Sequence, residues 1–393
     1  MWRADQMGRE GRTASNGYPT WGWFAARTSV QRWEDVPPGR CGAGLRKRPL
    51  QKAGATKAMT DINRQLILRS RPKGLCAPGD LQLAETPLPT IQDGQALAKV
   101  KYLSIDPTMR VWMSVDSYLP VVPIGDVMRA AGLAEVVESR HKEFKKGNKV
   151  VGLAGLQEYC VIDAADKSGS FRKVPPVPFL SDTAFLGVLG LTGVTAYFGM
   201  MDIAKPKKGE TMVVSAAAGA TGSIAGQIGK IQGCRVVGIA GGAEKCKWIT
   251  EELGFDAAID YKQPDWKEKL AAATPKGVDI DYENVGGEIM HEVLQRMNLH
   301  GRIVLCGLIS SYTKEDPALE SFATVLRKRL RVQGFIVLDY LDQFKEAATH
   351  LGKWKMFGKL KDRETIVEGI EKAPEAINML FTGENIGKLI VKV

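Results

Sequence analysis

The stretch with the clearest chemical content is VVSAAAGATGSIAGQIGKIQG, from Val213 to Gly233. A buried strand runs into a turn of small residues, Gly219, Ala220, Thr221 and Gly222, and a helix follows. That order suits phosphate binding. Glycine lets the backbone approach a pyrophosphate, and the unpaired N–H groups of a helix N-terminus face the anion. A glycine turn alone is weak evidence, but within a strand–turn–helix–strand unit it carries more weight. The motif departs from GxGxxG, since Ala217 stands where the first glycine would be. A second signal closes the next strand, in RVVGIAGGAEKCKW. A dinucleotide enzyme that prefers NAD places Asp or Glu here, on the ribose 2′-OH. This chain has Gly241 and Gly242, then Lys245, and a cation without that carboxylate suits a 2′-phosphate and hence NADPH. A solvated lysine at a helix start is the plainer alternative. Glu244 does not oppose the phosphate reading if its side chain points to solvent.

The elements that must position these residues divide the chain. At 393 residues it is too long for one core, which stops growing at roughly 250–300 residues. From about Gln65 to Ile162, short apolar runs (LILRS, ALAKVKYLSI, AAGLAEVVES, NKVVGLAG) alternate with Pro, Gly and Asp, which predicts an irregular, mostly β domain. From about Ser181 the chain alternates strands (TMVVSAAA, RVVGIAG, AAID, VDIDYEN, RIVLCGL, LRVQGFIVL) with helices (GSIAGQIGKIQG, EKCKWITEELG). That pattern predicts a Rossmann-type, doubly wound parallel sheet in an α/β fold. The last segment, IGKLIVKV, reads as a strand returning to the first domain. The expected bounds are 1–58 for a leader, 59–184 for the substrate domain, 185–350 for the nucleotide domain and 351–393 for the return.

Charge and cysteines narrow the function class. The net charge is +10, but residues 1–58 supply +7 of it, so the basic balance says little about nucleic-acid binding by the rest. That segment has no periodic apolar face and is expected to be disordered or non-native. Three origins stay open for it: an upstream in-frame start, an organelle transit peptide or a functional basic arm. The six cysteines are scattered without a CxxC pair, which fits reduced thiols and a cytoplasmic protein. No apolar run approaches the roughly 20 residues that span a bilayer, so no membrane partner is expected. His141, His291, His300 and His350 stand in no ligand motif and there is no Cys cluster, so no metal site is expected. Hydrogen-bond donors or the cofactor would then stabilise charge that develops on a substrate oxygen.

From Met59 onward the sequence resembles the zinc-independent medium-chain dehydrogenase/reductases, in the branch of prostaglandin, alkenal double-bond and curcumin reductases. The resemblance rests on YLSIDPTMRVWM, GLTGVTAYFGMMDI, the dinucleotide stretch, IDYK, DYENVGGE, GRIVLCGLISSY and GENIGKLIVKV. It implies a GroES-like substrate domain beside the Rossmann domain. It also implies NADPH-dependent reduction of a carbon–carbon double bond conjugated to a carbonyl, with hydride delivered to the β-carbon. On the same resemblance, Lys245 and Tyr261 bind the 2′-phosphate, while Asn284 and Asn385 line the nicotinamide half. Tyr312 is the catalytic tyrosine near the reacting carbonyl, and Tyr102 is a substrate-binding tyrosine. A phenol is chemically apt there, because it donates a hydrogen bond without a metal. The plainer readings are a structural loop tyrosine for Tyr312 and a packed strand tyrosine for Tyr102. Two departures, Thr108 in place of the branch's tyrosine and Thr192 in place of its proline, bear on the pocket. Arg110 reads as readily as a fold-holding ion-pair residue. Two other functions stay open: a quinone oxidoreductase of the same superfamily, and a non-catalytic NADPH-binding protein with RNA contacts. The resemblance allows a homodimer.

Overall fold

The computed structural model describes residues 62–166, 170–178, 180–314 and 322–393. The leader falls outside the described residues. The strands are β1 (Ile62–Leu68), β2 (Leu81–Pro87), β3 (Gln95–Ser104), β4 (Ala131–Ser139), β5 (Lys149–Leu153), β6 (Tyr159–Asp163), β7 (Arg172–Lys173), β8 (Thr211–Val214), β9 (Arg235–Ala240), β10 (Ala257–Asp260), β11 (Val278–Glu283), β12 (Met297–Leu305), β13 (Arg331–Gly334), β14 (Glu364–Glu368) and β15 (Lys388–Lys392). The helices are α1 (Thr108–Trp112), α2 (Leu191–Phe198), α3 (Ala220–Ile231), α4 (Ala243–Glu251), α5 (Trp266–Ala273), α6 (Gly287–Arg296), α7 (Phe322–Lys328), α8 (Phe344–Met356) and α9 (Ala373–Thr382).

Six strands form the expected parallel sheet in the order β10-β9-β8-β11-β12-β13. Successive residues of a strand face opposite sides, and here both sides are covered. Met212, Val214, Tyr282 and Val304 pack with Ile224, Ile228, Ala347 and Leu351 on one side. Val213, Val237, Ile239 and Ile303 pack with Trp266, Leu270, Met290 and Val293 on the other. Five strands from the first half of the chain, β3 to β7, and the late β14 and β15 form a seven-stranded, mainly antiparallel sheet. The chain crosses to that sheet late, because Leu351 and Leu360 are still buried in the nucleotide-side core. No helix among the described residues is long and apolar enough to cross a membrane.

Two elements are shorter than the sequence suggests. The strand TMVVSAAA ends at Val214, because the Ser215 hydroxyl is captured by Glu283 and Ala216 takes a left-handed φ of 46°. LRVQGFIVL forms a strand only over Arg331–Gly334. That strand is the outer edge of the sheet, and beyond it Phe335 and Val337 fold onto the nucleotide-side core, so the chain turns into a 3₁₀ helix over Val337–Gln343.

One buried residue conflicts with its surroundings. Asp281 lies in the middle of β11 with no exposed surface, and its register partners on either side are the apolar Val213 and Ile303. Among the described residues, neither of its carboxylate oxygens finds a hydrogen-bond donor. Burial, and then the charge of Glu283, hold its carboxyl well above the usual range. An acid raised by folding is harmless below its unfolded pKa of about 3.9 and costs stability as pH climbs toward its folded value. Asp281→Leu should therefore raise the thermal midpoint, by roughly 1–3 kcal/mol equivalent at neutral pH. The gain over the parent should be larger at pH 8 than at pH 5 in calorimetry. An equal or smaller gain at pH 8 would contradict the ionisation argument.

Candidate active site

The dinucleotide turn has the geometry its sequence suggests. Gly219 is the N-cap of α3 in extended conformation, and no side chain caps the helix. The amides of Ala220, Thr221 and Gly222 open the first turn, where no intrahelical acceptor exists. Lacking an intrahelical acceptor, such first-turn amides suit an anion, although that of Ala220 also faces Gly387 O through the bridge described below. At Gly222 the approach is close enough that glycine is required. A Cβ there would lie 2.4 Å from the carbonyl oxygen of Ala216. The turn is also tied to the far end of the chain: Gly387 N–H donates to Ala218 O at 2.8 Å, and Gly219 and Gly387 form an isolated parallel bridge.

Around Gly241 and Gly242 the structure gathers Lys245, Tyr261 and Lys262. A Cβ at position 241 would lie 2.9 Å from the Tyr261 ring and 3.0 Å from the Lys262 side chain, so the glycine makes room for both. Lys245 is half-buried and donates from Nζ to Gly383 O at 2.8 Å. Burial, and next the positive charge of Lys262, lower its pKa, while Glu244 opposes them. Glu244 itself turns outward and pairs with Arg363 at 3.2 Å, so no carboxylate occupies the cluster from α4. Asp260 is engaged by the amides of Gly242 and Lys262, at 2.8 and 3.1 Å. Two cations and a phenol stand beside a backbone bend, a charge balance that suits a dianion. The sequence reading missed Lys262, although a cation directly after Tyr261 was the available signal.

Asn284 and Tyr312 are brought together by backbone. The amides of Ile309 and Ser310 donate to the carbonyls of Asn284 and Val285, at 3.1 and 2.9 Å. Asn284 is held from behind, as its amide donates to Ser215 Oγ and its Nδ2 to Ser215 O, both at 2.7 Å. Ser215 Oγ in turn donates to Glu283 Oε1 at 2.7 Å, and the same oxygen accepts the amides of Val285 and Gly286. One buried carboxylate therefore fixes the whole turn. Asn385 is buried, donates from Nδ2 to Gly387 O at 3.1 Å, and so belongs to the turn that meets the dinucleotide loop.

The Tyr312 phenol oxygen accepts a long hydrogen bond from Leu308 N–H at 3.4 Å, which leaves its own hydrogen for donation. Burial pushes this phenol up, Leu308 N–H opposes the shift, and the Cys306 and Tyr118 side chains add to it. Tyr118 is a second phenol within electrostatic range of Tyr312. Its hydroxyl lies 2.6 Å from Thr108 Oγ1, and its ring packs edge-on to Trp112. Thr108, the departure noted in the sequence, supplies a hydroxyl that holds a phenol from ten residues downstream. Nothing local in the sequence marks Tyr118, because it sits on a loop and only the fold carries it to Tyr312.

Tyr102 is not brought to this group. It packs on the antiparallel sheet with Leu133, Val151, Leu186 and Ile390. Residue 102 points to the opposite face from its neighbours Leu103 and Lys101 in the strand. Its position is that of the packed strand tyrosine. Thr192 turns back to Gly187 O at 3.1 Å, a local contact at the start of α2. Arg110 is buried and holds the fold through carbonyls, with Nε on Gly74 O at 2.7 Å and a terminal nitrogen on Pro72 O at 2.5 Å. Among the described residues it makes no ion pair. Among the described residues, no group of three or more His, Cys, Asp or Glu could hold a metal ion.

The comparisons place this arrangement in a family. Residues 64–169 match the model of the N-terminal domain of oxidoreductase, and residues 220–353 match that of zinc-binding dehydrogenase. The zinc in the second description finds no ligand group among the described residues. The chain is 45% identical over 339 residues to the NADPH-dependent curcumin reductase of Escherichia coli, covering 84% of this chain and 97% of the relative. It is 39% identical over 332 residues to mouse prostaglandin reductase 1, covering 83% and 97%. Among solved structures, CurA of Vibrio vulnificus in complex with NADPH superposes with a TM-score of 0.79 at 42% identity, covering 84% of this chain and 99% of that one. The protein belongs to the medium-chain dehydrogenase/reductases, in the branch of the curcumin and prostaglandin reductases.

The cation cluster makes a direct prediction. Lys245→Ala should raise the Michaelis constant for NADPH about 10- to 150-fold while changing that for NADH little, since a charge-assisted contact to phosphate is worth roughly 1.5–3 kcal/mol. Lys262→Ala should shift the same ratio in the same direction. Steady-state kinetics with the two cofactors checks this, and equal effects on both would remove Lys245 from 2′-phosphate recognition.

Proposed function

We propose that this protein reduces the carbon–carbon double bond of α,β-unsaturated ketones or aldehydes with NADPH. The observation that carries the reading is the Tyr312 phenol, which keeps its hydrogen for donation beside the turn that holds Asn284. NADPH fits the residues present, because the tight 219–222 turn leaves the start of α3 without a side-chain cap and Lys245, Tyr261 and Lys262 surround the bend at Gly241. When bound, the cofactor supplies a hydride. The protein's part is to hold it and to receive charge. In our reading Gly219, Ala220, Thr221 and Gly222 take the pyrophosphate, Lys245, Tyr261 and Lys262 take the 2′-phosphate, and Asn284 and Asn385 flank the nicotinamide half.

Hydride addition at the β-carbon moves negative charge through the conjugated system onto the carbonyl oxygen. Tyr312, neutral because its phenol is pushed up by burial, donates a hydrogen bond to that oxygen. Tyr118, whose hydroxyl is held by Thr108, adds a chain of two hydroxyls that can relay a proton. An enolate spreads its charge over oxygen and carbon, so neutral donors are adequate stabilisers. The α-carbon then takes a proton and the carbonyl is restored. Tyr102 has no place in this reading.

A reducing compartment such as the cytoplasm fits the five described cysteines, all free. A homodimer fits the open outer edge of β13, whose four residues are all exposed and whose backbone groups on that side face outward. Sedimentation equilibrium should give twice the chain mass. A monomer at micromolar concentration would overturn this.

The reaction class is tested by product analysis. Mass spectrometry and NMR after reaction with an enone and NADPH should show the saturated ketone, and an allylic alcohol as main product would refute conjugate reduction. Tyr312→Phe should lower turnover about 10- to 100-fold with little change in NADPH binding, because one neutral hydrogen bond left unmade is worth roughly 1–3 kcal/mol. Parallel assays with a quinone, and RNA binding at low and high salt, separate the two other readings.

A further inference from the structure

Lys388 is a buried cation that the reading above does not use. It opens β15 and is only 4% exposed. Its Nζ donates to Asp106 Oδ1 at 2.9 Å and to Ile105 O at 2.8 Å. The second oxygen of Asp106 accepts from Ser104 Oγ at 2.5 Å, and its backbone carbonyl accepts from Met109 N–H at 3.0 Å. Asp106 is therefore held at three points, and it begins the loop that delivers Thr108 and, through Thr108, the Tyr118 hydroxyl. Lys388 also has a second connection. It directly follows Gly387, whose amide is bound to Ala218 at the dinucleotide turn, and lies three residues after Asn385.

Energetics argues that this pair is not there for stability. Desolvating an ammonium costs several kcal/mol, and a buried ion pair often does no better than apolar side chains of the same size. The loop has an anchor of its own, since Ile105 N–H donates to Leu389 O at 3.1 Å and Ser104 pairs in register with Ile390. A methionine at position 388 would fill the same channel. What it could not do is fix the direction and depth of Asp106.

We propose that Lys388 is a positioning residue: its ion pair with Asp106 sets the Thr108–Tyr118 hydroxyl pair against the Asn385–Gly387 turn, and so sets the distance between the substrate and the hydride donor. The inference rests on the reading that Asn385 flanks the nicotinamide and that the phenols face the carbonyl. A misplacement of about 1 Å in such a geometry can cost about 100-fold in rate.

The test uses Lys388→Met, Asp106→Asn and the double variant in the full-length chain, with Tyr312→Phe as a control. Lys388→Met should lower kcat on an enone about 10- to 100-fold, while the NADPH dissociation constant from fluorescence titration stays within about threefold. The primary isotope effect from NADPH deuterated at the transferred position should rise, because a lengthened transfer makes that step limiting. Loss of folding would not produce that rise. The double variant should be no slower than the worse single one, since both remove one interaction. A kcat within about threefold of the parent, an isotope effect that does not rise, or fully additive losses would overturn the proposal. Should Lys388→Met not fold, Asp106→Asn decides by the same readouts. An unaffected Tyr312→Phe would instead count against the underlying reading of the site.

Discussion

The hydrogen bond from Gly387 to Ala218 is the contact on which the site depends. It joins the last turn of the chain to the phosphate-binding turn in the middle of it. Through that junction, Asn385 is placed beside Gly219 and Lys245 reaches Gly383 O. The same few residues then run on into β15, which inserts beside β3 in the other sheet. Cofactor turn and substrate-side sheet thus share one strand, and neither can shift without the other.

Burial supplies the chemistry at this junction. A phenol is a modest acid in water, and enclosing Tyr312 makes it more reluctant still to ionise, which is the state a hydrogen-bond donor requires. The opposite logic applies to Lys245. Partial burial and the neighbouring Lys262 raise the energy of its charged form, and an anion set between the two cations would lower it.

The parallel sheet was legible because its strands are apolar on both faces and its helices carry small residues where they meet the sheet. The phosphate turn was legible for the same reason: Gly222 has to be glycine against Ala216 O, and that need shows in the letters. Lys245 could be nominated from the missing carboxylate and the cation just after its strand, whereas Tyr261 rested on the family resemblance alone. Tyr118 could not. It lies on an irregular loop, and its partnership with Tyr312 spans nearly two hundred residues and two sheets. Tyr102 misled in the opposite way. It stands in the motif that carries the resemblance, but strand alternation sends its ring to Leu133 and Ile390. A motif fixes the backbone path, and the side on which each residue emerges follows from the register.

Glu283 and Asp281 show what a fold accepts in order to hold such a turn. Glu283 is buried, yet one of its oxygens gathers the Ser215 hydroxyl and two amides, and those bonds offset much of its desolvation. Asp281, two residues earlier on the same face, has no such compensation. Its cost follows from its neighbour's use. An acid at position 283 holds the turn, the strand's period of two puts residue 281 in the same layer, and of these two fully buried carboxyls only Asp281 has no donor to either oxygen. Burial first, and then the charge of Glu283 across a medium too apolar to screen it, hold the Asp281 carboxyl well above the usual range, whereas the bonds from Ser215, Asn284, Val285 and Gly286 oppose that shift at Glu283.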